Sequence, residues 1–218
     1  MQVEVRDRPA GMAGIILAGG YSRRMGQNKA LLAAPGEASQ TFVERLASLL
    51  SDICPEVFLV ARDENSGKEY TSLPGAQLWR LVYDQLPGQG PLMGLYSGLL
   101  ALSTSHALVL AVDLPYVQPA LLRWLSAFPL DDELLVPRIR DIPQVLLARY
   151  PRSLLPIIEE CLRHGRRDLR ALLDVAPLRF LEEEEVRQID PELNSFKNVN
   201  TPEDLQEASE PEGSKNCG

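Results

Sequence analysis

The residues best suited to chemistry lie in one stretch, Leu17 to Lys29, with the sequence Leu-Ala-Gly-Gly-Tyr-Ser-Arg-Arg-Met-Gly-Gln-Asn-Lys. It follows a short apolar run, Ala13 to Leu17, which predicts a buried strand. Glycine permits positive φ angles and close approach of a ligand, and the backbone amides of such a loop bind anions. Arginine and lysine side chains offset anionic charge. The stretch therefore predicts a loop that binds the polyphosphate of a nucleotide.

The loop supplies two kinds of group, cationic side chains and backbone amides. We expect Arg24 and Lys29 to act in catalysis, because each can follow the negative charge that moves onto a leaving pyrophosphate. Lys29 is also expected to bind the nucleotide. Further nucleotide contacts are predicted at the start of the loop, at Leu17, Ala18, Gly19 and Gly20, and outside the loop at Asp84 and Asp113.

Two carboxylates come at the ends of apolar strands further along the chain. Asp84 follows the run 81–83, and Asp113 follows the run 107–112. A carboxylate in such a place is costly unless a cation or hydrogen bonds compensate it. We therefore expect Asp113 to bind Mg²⁺, which prefers oxygen ligands, and to take part in catalysis. Asp84 is suited to accept hydrogen bonds from the N–H groups of a nucleotide base or from a ribose hydroxyl. The alternative for both residues is a cap of the following turn.

Apolar runs that predict strands alternate along the chain with segments of helical periodicity. Near-continuous apolar strands in this order are typical of a doubly wound, mostly parallel sheet with helices on both faces. The sequence thus predicts the α/β class in a three-layer α/β/α architecture, with ligands beyond the carboxyl ends of the strands. The predicted strands cover 13–17, 56–61, 81–83, 107–112, 134–138, 144–150 and 179–181.

Helix starts and stops are marked by capping residues. Thr41 and Glu44 have the spacing of a capping box and predict a helix after them. The other predicted helices cover 92–102, 119–128, the segment from a Ser153 cap to Gly165, 169–173, and a segment that begins at Thr201. The acidic run 182–185 is interpreted as a solvated surface turn.

Composition restricts the class of partner and the compartment. The net charge of −8 argues against a nucleic-acid surface. Residues 85–112 contain no Asp, Glu, Lys or Arg, but proline and glycine interrupt them, which favours a loop, a buried helix and a strand over a membrane span. The chain has three cysteines without metal-ligand spacing, and residues 1–12 lack the apolar core of a signal peptide. We expect a cytoplasmic protein with reduced thiols.

Two common phosphate-binding motifs are excluded. A Walker A loop has Ser or Thr after its lysine, whereas Ala30 follows Lys29, and the pair Gly19-Gly20 does not fit the G-x-G-x-x-G fingerprint. The pattern Leu-Ala-Gly-Gly-x-Ser-x-Arg-Met-Gly-x-x-Lys instead resembles the nucleotidyltransferases that share the glycosyltransferase-A-like fold.

Later segments narrow the resemblance to the molybdenum cofactor guanylyltransferases. Asp84 with the motif at 90–94, the motif at 112–116, and the segment 196–205 are similar to that family. The resemblance implies transfer of GMP from Mg·GTP to the terminal phosphate of molybdenum-loaded molybdopterin, with release of pyrophosphate. It makes Mg²⁺ the implied cofactor, and molybdoenzyme chaperones or other cofactor-biosynthesis proteins the candidate partners.

The resemblance also implies roles for single residues. Asp84 matches a position that touches the nucleotide in the family, and Asn198, Asn200 and Arg138 are candidate substrate contacts. Val60 departs from the family pattern, which often has an asparagine at the end of the second strand. The contact of that asparagine with GTP is therefore absent or supplied elsewhere, and the preference for guanine is less well founded.

The family pattern suggests one domain over residues 13–208. We expect a nucleotide-binding half at 13–118 and an acceptor-substrate half at 119–208, between a flexible segment 1–12 and a disordered tail 209–218. Two other functions stay open: a related transferase that uses CTP or a sugar phosphate, and a nucleotide-binding regulator without turnover. The presence of both Lys29 and Asp113 argues against the regulator.

Overall fold

Strands and helices alternate along the chain as the apolar runs predict. The computed structural model describes residues 11–18, 28–34, 37–129 and 132–198. Its strands are β1 Met12–Leu17, β2 Ala33–Ala34, β3 Glu37–Thr41, β4 Val57–Ala61, β5 Arg80–Tyr83, β6 His106–Ala111, β7 Leu134–Ile139, β8 Ile142–Pro143, β9 Leu147–Pro151 and β10 Leu178–Glu182. Its α-helices are α1 Phe42–Ser51, α2 Glu64–Thr71, α3 Pro91–Ala101, α4 Pro119–Ala127, α5 Leu155–Arg163 and α6 Glu183–Arg187.

The large sheet has the strand order β10-β7-β9-β6-β1-β4-β5, with β8 paired to β7. Strand β1 pairs in parallel with β4 on one side and with β6 on the other, and β4 pairs in parallel with β5. Strand β9 runs antiparallel to both β6 and β7, while β10 is parallel to β7. Strands β5, β4, β1, β6, β7 and β10 therefore end at one edge of the sheet, which confirms the mostly parallel, doubly wound architecture.

Helices cover both faces of this sheet. On one face Ile16 belongs to a core cluster that includes Leu50 of α1, and on the other Ile15 belongs to a cluster that includes Leu95 of α3. All four side chains are fully buried. Consecutive residues of β1 thus enter opposite cores, as a strand buried on both faces requires. The prediction of three layers is confirmed.

Several local predictions are confirmed and one helix start is wrong. The strand predicted over 144–150 begins later, at Leu147. Ser153 does not cap a helix: it lies in a 3₁₀ turn, and α5 begins after Leu154 without a side-chain cap. Pro156 occupies the first turn of α5 and has no N–H to be capped, so the turn forms without serine. The helix does end before Gly165, which has φ +74° as a C-terminal glycine requires.

The acidic run at 182–185 is more ordered than the predicted surface turn. Glu182 ends β10 and caps α6, where its N–H donates to Glu185 Oε2 at 2.9 Å. Glu183 Oε2 accepts the N–H of Arg140 at 2.9 Å. Carboxylates in the first turn of a helix are stabilised by the helix dipole, so the run starts a helix instead of remaining a loop.

The uncharged stretch 85–112 forms a loop, helix α3 and strand β6, as predicted. Within the part of the chain that the structure describes, no helix has the length and apolar character needed to cross a membrane. The helix predicted from Thr201 and the tail 209–218 lie outside the described residues, as do residues 1–10. Helix α2 and the hairpin β2–β3 were not predicted from the sequence.

The capping box of α1 is confirmed and extends to a distant loop. Glu44 Oε2 accepts the N–H of Thr41 at 2.9 Å, and its Oε1 accepts the N–H of Gly75 at 2.9 Å. Glu44 is 7% exposed. Burial raises the pKa of this carboxyl, but the hydrogen bonds from Thr41 and Gly75 outweigh it, and the pKa lies below its ordinary value. Glu44 therefore stabilises the fold in its ionised form.

We predict that Glu44→Ala lowers the free energy of unfolding by about 2 kcal/mol at pH 7, because it leaves buried donors unpaired. Urea denaturation measures the change, with exposed Glu159→Ala on α5 as the matched control. Because the folded-state pKa of Glu44 is lowered, its contribution is present above the unfolded pKa and is lost as the pH falls through the folded one. Equal unfolding free energies for the two variants would contradict the prediction.

Candidate active site

The candidate site lies at the sheet edge where β5, β4, β1 and β6 end. Backbone hydrogen bonds fix the order of the residues there: the N–H of Ala18 donates to Val60 O at 3.0 Å, and the N–H of Asp84 to Ala61 O at 3.1 Å. On the other side of β1, the N–H of Val112 donates to Leu17 O at 3.3 Å. The predicted residues Leu17, Ala18, Asp84 and Asp113 are therefore brought to one edge, at the ends of β1, β5 and β6.

Lys29 and Asp113 interact electrostatically in this site. Burial raises the pKa of the Asp113 carboxyl, and the positive charge of Lys29 counteracts the rise. The loop after Asp113 is held from two sides, because Arg45 Nε donates to Pro115 O at 2.9 Å and Ser195 Oγ accepts the N–H of Gln118 at 3.0 Å. The Asp113 carboxylate and the Lys29 ammonium thus interact electrostatically at the end of β6, and hydrogen bonds from two other elements hold the loop after Asp113.

The position of Lys29 depends on the residue before it. Lys29 begins a 3₁₀ turn, and the side-chain oxygen of Asn28 caps that turn by accepting the N–H of Ala30 at 3.2 Å. Asn28 Nδ2 donates to Tyr70 Oη at 3.0 Å and to Glu69 Oε2 at 2.8 Å on α2. Sequence reasoning missed Asn28 and Tyr70, since α2 itself was not predicted.

Asp84 lies at the other end of the site, against the first turns of α3. A Cβ atom at Gly94 would lie 3.5 Å from Asp84 Oδ1, an ordinary van der Waals distance, so this turn of α3 packs beside the carboxylate. Burial raises the pKa of Asp84 to about 6, although the charge of Arg62 lowers it and that of Asp63 raises it. Asp84 is thus a carboxyl group that changes its charge near neutral pH.

Arg62 is a further site residue that the sequence reasoning missed. It follows the last residue of β4 directly, and its Nε donates to Asp63 Oδ2 at 2.8 Å. Val60, by contrast, is 1% exposed and packs in the core beneath Gly94 and Gly98. Polar chemistry at the end of β4 comes from Arg62, two residues beyond the position at which the family pattern suggested an asparagine.

The predicted acceptor contacts lie further along the same edge. Arg138, at the end of β7, forms a two-point ion pair with Glu182, with Nε–Oε2 at 3.0 Å and Nη2–Oε1 at 2.6 Å. Its guanidinium carbon also lies 4.6 Å from the ring centre of Phe180. Asn198 is exposed and follows the turn that Ser195 anchors to the loop after Asp113. The predicted residues Gly19, Gly20, Arg24 and Asn200 lie outside the described residues.

The described residues do not assemble a metal site from protein groups alone: among them no three His, Cys, Asp or Glu side chains gather in a metal-binding group. A single carboxylate is still compatible with Mg²⁺, which is commonly held by one or two carboxylates together with substrate phosphates. Asp113 meets that requirement, because it is an oxygen donor in a partly buried position where burial opposes its charge.

The structure brings Lys29, Asp84 and Asp113 to the carboxyl edge of an open α/β sheet, which is where sheets of this kind bind ligands. The sequence profile of the MobA-like NTP transferase domain matches residues 14–184. The chain belongs to this family of nucleotidyltransferases, as the loop pattern predicted.

Named relatives cover almost the whole chain. A probable molybdenum cofactor guanylyltransferase from Chloroflexus aggregans is 38% identical over 200 residues, covering 89% of this chain and 92% of that protein. One from Methanosarcina mazei is 36% identical over 200 residues, covering 88% of this chain and 87% of that protein. The chain therefore corresponds to nearly the full length of these relatives.

Solved structures agree on the architecture. The molybdopterin-guanine dinucleotide biosynthesis protein A from Archaeoglobus fulgidus superimposes with a TM-score of 0.76 at 28% identity, over 90% of this chain and 96% of that one. A 2-C-methyl-D-erythritol 4-phosphate cytidylyltransferase from Thermus thermophilus gives a TM-score of 0.62 at 17% identity, over 89% and 95% of the two chains. The second likeness shows the fold alone.

We predict that Asp84→Asn stabilises the ligand-free protein at pH 8 by about 1 kcal/mol, after allowance for partial exposure. The folded-state pKa of about 6 lies above the ordinary value of 3.8, so the folded state binds more protons between these values and the ionised carboxylate opposes folding above them. Denaturant titrations at pH 8 and pH 3.5 measure the effect, which should vanish at the lower pH.

Asp63→Asn is the control of opposite sign. Hydrogen bonds from Ser66 and Arg62 lower the pKa of Asp63 to about 2, so its charge stabilises the fold and its removal should destabilise the protein at pH 8. A destabilised Asp84→Asn variant at that pH would show that burial of Asp84 is not the dominant influence.

Proposed function

We propose that the protein transfers GMP from GTP to the terminal phosphate of molybdenum-loaded molybdopterin and releases pyrophosphate. The observation that carries the proposal is the electrostatic interaction of Lys29 with the partly buried Asp113 at the end of β6, on the edge where β1 also ends. This choice of substrates is supported by membership of the MobA-like NTP transferase family and by the names of relatives that match the chain over nearly its whole length.

In this reaction an oxygen of the acceptor phosphate attacks the α-phosphorus of GTP, and the bond to the bridging oxygen of the pyrophosphate breaks. Both reactants are anions, so the enzyme acts mainly by positioning and charge neutralisation. We propose that Lys29 binds the phosphates of GTP, where its positive charge stabilises the negative charge that develops on the leaving pyrophosphate. Arg24 and the amides of Gly19 and Gly20 are proposed to share this role, with Leu17 and Ala18 as further nucleotide contacts.

We assign Asp113 to Mg²⁺. The bound ion would neutralise charge on the phosphate oxygens, as divalent metals do in nucleotide chemistry. Asp113 itself holds a fixed negative charge opposite Lys29, on a loop that Arg45 and Ser195 keep in place. The same carboxylate is thereby proposed to serve metal binding and the orientation of the lysine.

We propose that Asp84 binds the nucleoside end of GTP, where a carboxylate can accept hydrogen bonds from N1–H and N2–H of guanine or from a ribose hydroxyl. It must be ionised to accept both hydrogen bonds from guanine, and Arg62 favours the ionised form. Arg62 thus takes part in nucleotide recognition by an electrostatic effect on Asp84. This supplies polar character at the end of β4 in the absence of an asparagine at Val60.

The acceptor is proposed to bind along the edge formed by β7, β10 and the segment after Ser195. Arg138, Asn198 and Asn200 are the candidate contacts. Arg138 is already paired with Glu182, so an acceptor anion would share the arginine with that carboxylate. Molybdoenzyme chaperones are proposed partners for the product. The thiols of Cys54 and Cys161 are buried and not joined in a disulfide, which suits a reducing cytoplasm.

The first prediction from this proposal concerns substrate choice. Incubation with Mg²⁺, molybdenum-loaded molybdopterin and each of the four NTPs should release pyrophosphate with GTP only. Release with CTP, or with a sugar phosphate as acceptor, would favour the related transferases instead. Binding of GTP without release under any of these conditions would favour a regulator.

The second prediction concerns Asp113→Asn. The variant keeps the size of the side chain but removes its charge, so kcat should fall about 100-fold or more. The thermal unfolding midpoint should not fall, because burial opposes the charge that the substitution removes. Asp52→Asn, an exposed carboxylate at the end of α1, is the matched control and should retain full activity. Unchanged turnover of the Asp113 variant at limiting Mg²⁺ would remove this residue from the metal site.

A further inference from the structure

Helix α2 contacts the active site at both of its ends. At its start, Asp63 caps the helix by accepting the N–H of Ser66 at 2.8 Å, and the same carboxylate holds Arg62. Near its end, Glu69 and Tyr70 both accept hydrogen bonds from Asn28. The residue that follows Asn28 is Lys29, so a single two-turn helix connects the two cations of the described site.

The helix is fixed in place by packing that leaves little room for movement. Tyr70 is 1% exposed and belongs to the large core cluster on the α1 face of the sheet. Gly67 faces β5 so closely that a Cβ atom there would lie 2.6 Å from Tyr83 Cε1 and 3.0 Å from Leu81 Cδ2. The hydroxyl that meets Asn28 is therefore anchored by the protein core.

Asn28 connects Tyr70 to the turn that contains Lys29. Its Nδ2 binds Tyr70 Oη at 3.0 Å, and its Oδ1 accepts the N–H of Ala30 at 3.2 Å and so starts the turn that contains Lys29. A lysine side chain has many rotamers and gains precision only from its surroundings. Fixing its backbone is one means by which the protein can keep the ammonium directed at the phosphates, and small misplacements of catalytic groups cost large factors in rate.

We propose that Tyr70 is a positioning residue for Lys29, which it holds through Asn28, so that α2 orients the phosphate-binding cation of the site. The inference rests on the proposed role of Lys29 in binding GTP phosphates. Tyr70 acts without touching the nucleotide, and Glu69 supports the same amide from the exposed side.

The competing interpretation is that the Tyr70–Asn28 hydrogen bond only stabilises the fold. A double-mutant cycle separates the two. Tyr70→Phe should lower kcat/KM for GTP about 10-fold, mainly through kcat, and Asn28→Ala should lower it at least as much. If Tyr70 acts through Asn28, the double variant should be no worse than Asn28→Ala alone. Additive losses in the cycle, or full activity of Tyr70→Phe, would overturn the proposal.

Tyr150→Phe is the matched control. Tyr150 is fully buried in β9, and its hydroxyl donates to Val145 O at 2.7 Å, so the substitution deletes the hydrogen bond of a tyrosine as buried as Tyr70 elsewhere in the protein. It should lower the thermal unfolding midpoint as Tyr70→Phe does and leave kcat/KM unchanged. A similar loss of kcat/KM in both variants would assign the effect to stability and contradict the positioning role.

Exposed Glu69 supplies a test that does not disturb the core. Glu69→Ala removes one acceptor of the Asn28 amide and should lower kcat/KM, whereas Glu69→Gln keeps a side-chain oxygen at that place and should restore most of it. Equal activities of the alanine and glutamine variants would contradict the proposal.

Binding of inorganic tripolyphosphate, measured by calorimetry, provides a readout that is independent of base and acceptor. Tyr70→Phe should raise its Kd several-fold, and Tyr150→Phe should not. If the wild-type protein binds tripolyphosphate but releases no pyrophosphate from GTP, the proposed function fails while the positioning role is still tested. Absence of tripolyphosphate binding by the wild type would refute the assigned role of Lys29 and the positioning role with it.

Discussion

The parallel pairing of β1 with β4 on one side and β6 on the other is the constraint on which the site depends. Strand β1 is buried on both faces, and its backbone hydrogen bonds align Ala18 with the end of β4 and Leu17 with the residue before Asp113. A shift of one residue in either pairing would turn every side chain of β1 to the opposite core. The register of the core strands therefore fixes where the phosphate loop leaves the sheet and where the two carboxylates stand.

The two carboxylates of the site lower the stability of the fold when they are ionised. Asp84 and Asp113 both lie where burial raises their pKa, so their ionised forms weaken the fold, whereas Glu44 and Asp63 are carboxylates that hydrogen bonds stabilise. Lys29 and Arg62 only partly offset the unfavourable burial. A bound cation or nucleotide would offset this loss of stability. Functional positions commonly lower the stability of the free protein in this way.

Much of the fold and part of the site could be predicted from the sequence. Apolar runs of five or six residues identify β1, β4 and β6, and the ends of these strands identify Asp113 because a charged residue after such a run is costly. Helix α2 escaped prediction because the segment from Glu64 to Thr71 is strongly polar and contains Gly67, so it lacks an apolar stripe. Its start is set by the Asp63 cap, and its position is set by contacts with Tyr83 and Asn28 that only the tertiary structure creates.

The roles of Arg62 and Tyr70 were missed for the same reason. Neither residue belongs to a local sequence motif. The proposed role of Arg62 depends on Asp63 and on Asp84, and that of Tyr70 depends on Asn28, more than forty positions earlier in the chain. Arg138 shows what a single position in the sequence leaves out. Strand β10 pairs in parallel with β7 and places Glu182 opposite Arg138, so the candidate acceptor contact is also one partner of an ion pair that only the tertiary structure creates.

The place of β6 in the sheet has a consequence for the growing chain on the ribosome. Because Met12 pairs with His106 and Leu17 with Ala111, strand β1 lacks one of its two neighbours until β6 has been synthesised. Until then the edge of β1 and its apolar faces are open to pairing with other chains. The enzyme's first strand thus keeps one open edge until β6, His106–Ala111, has been made, and nascent chains that stop before β6 should depend on holding chaperones to avoid aggregation.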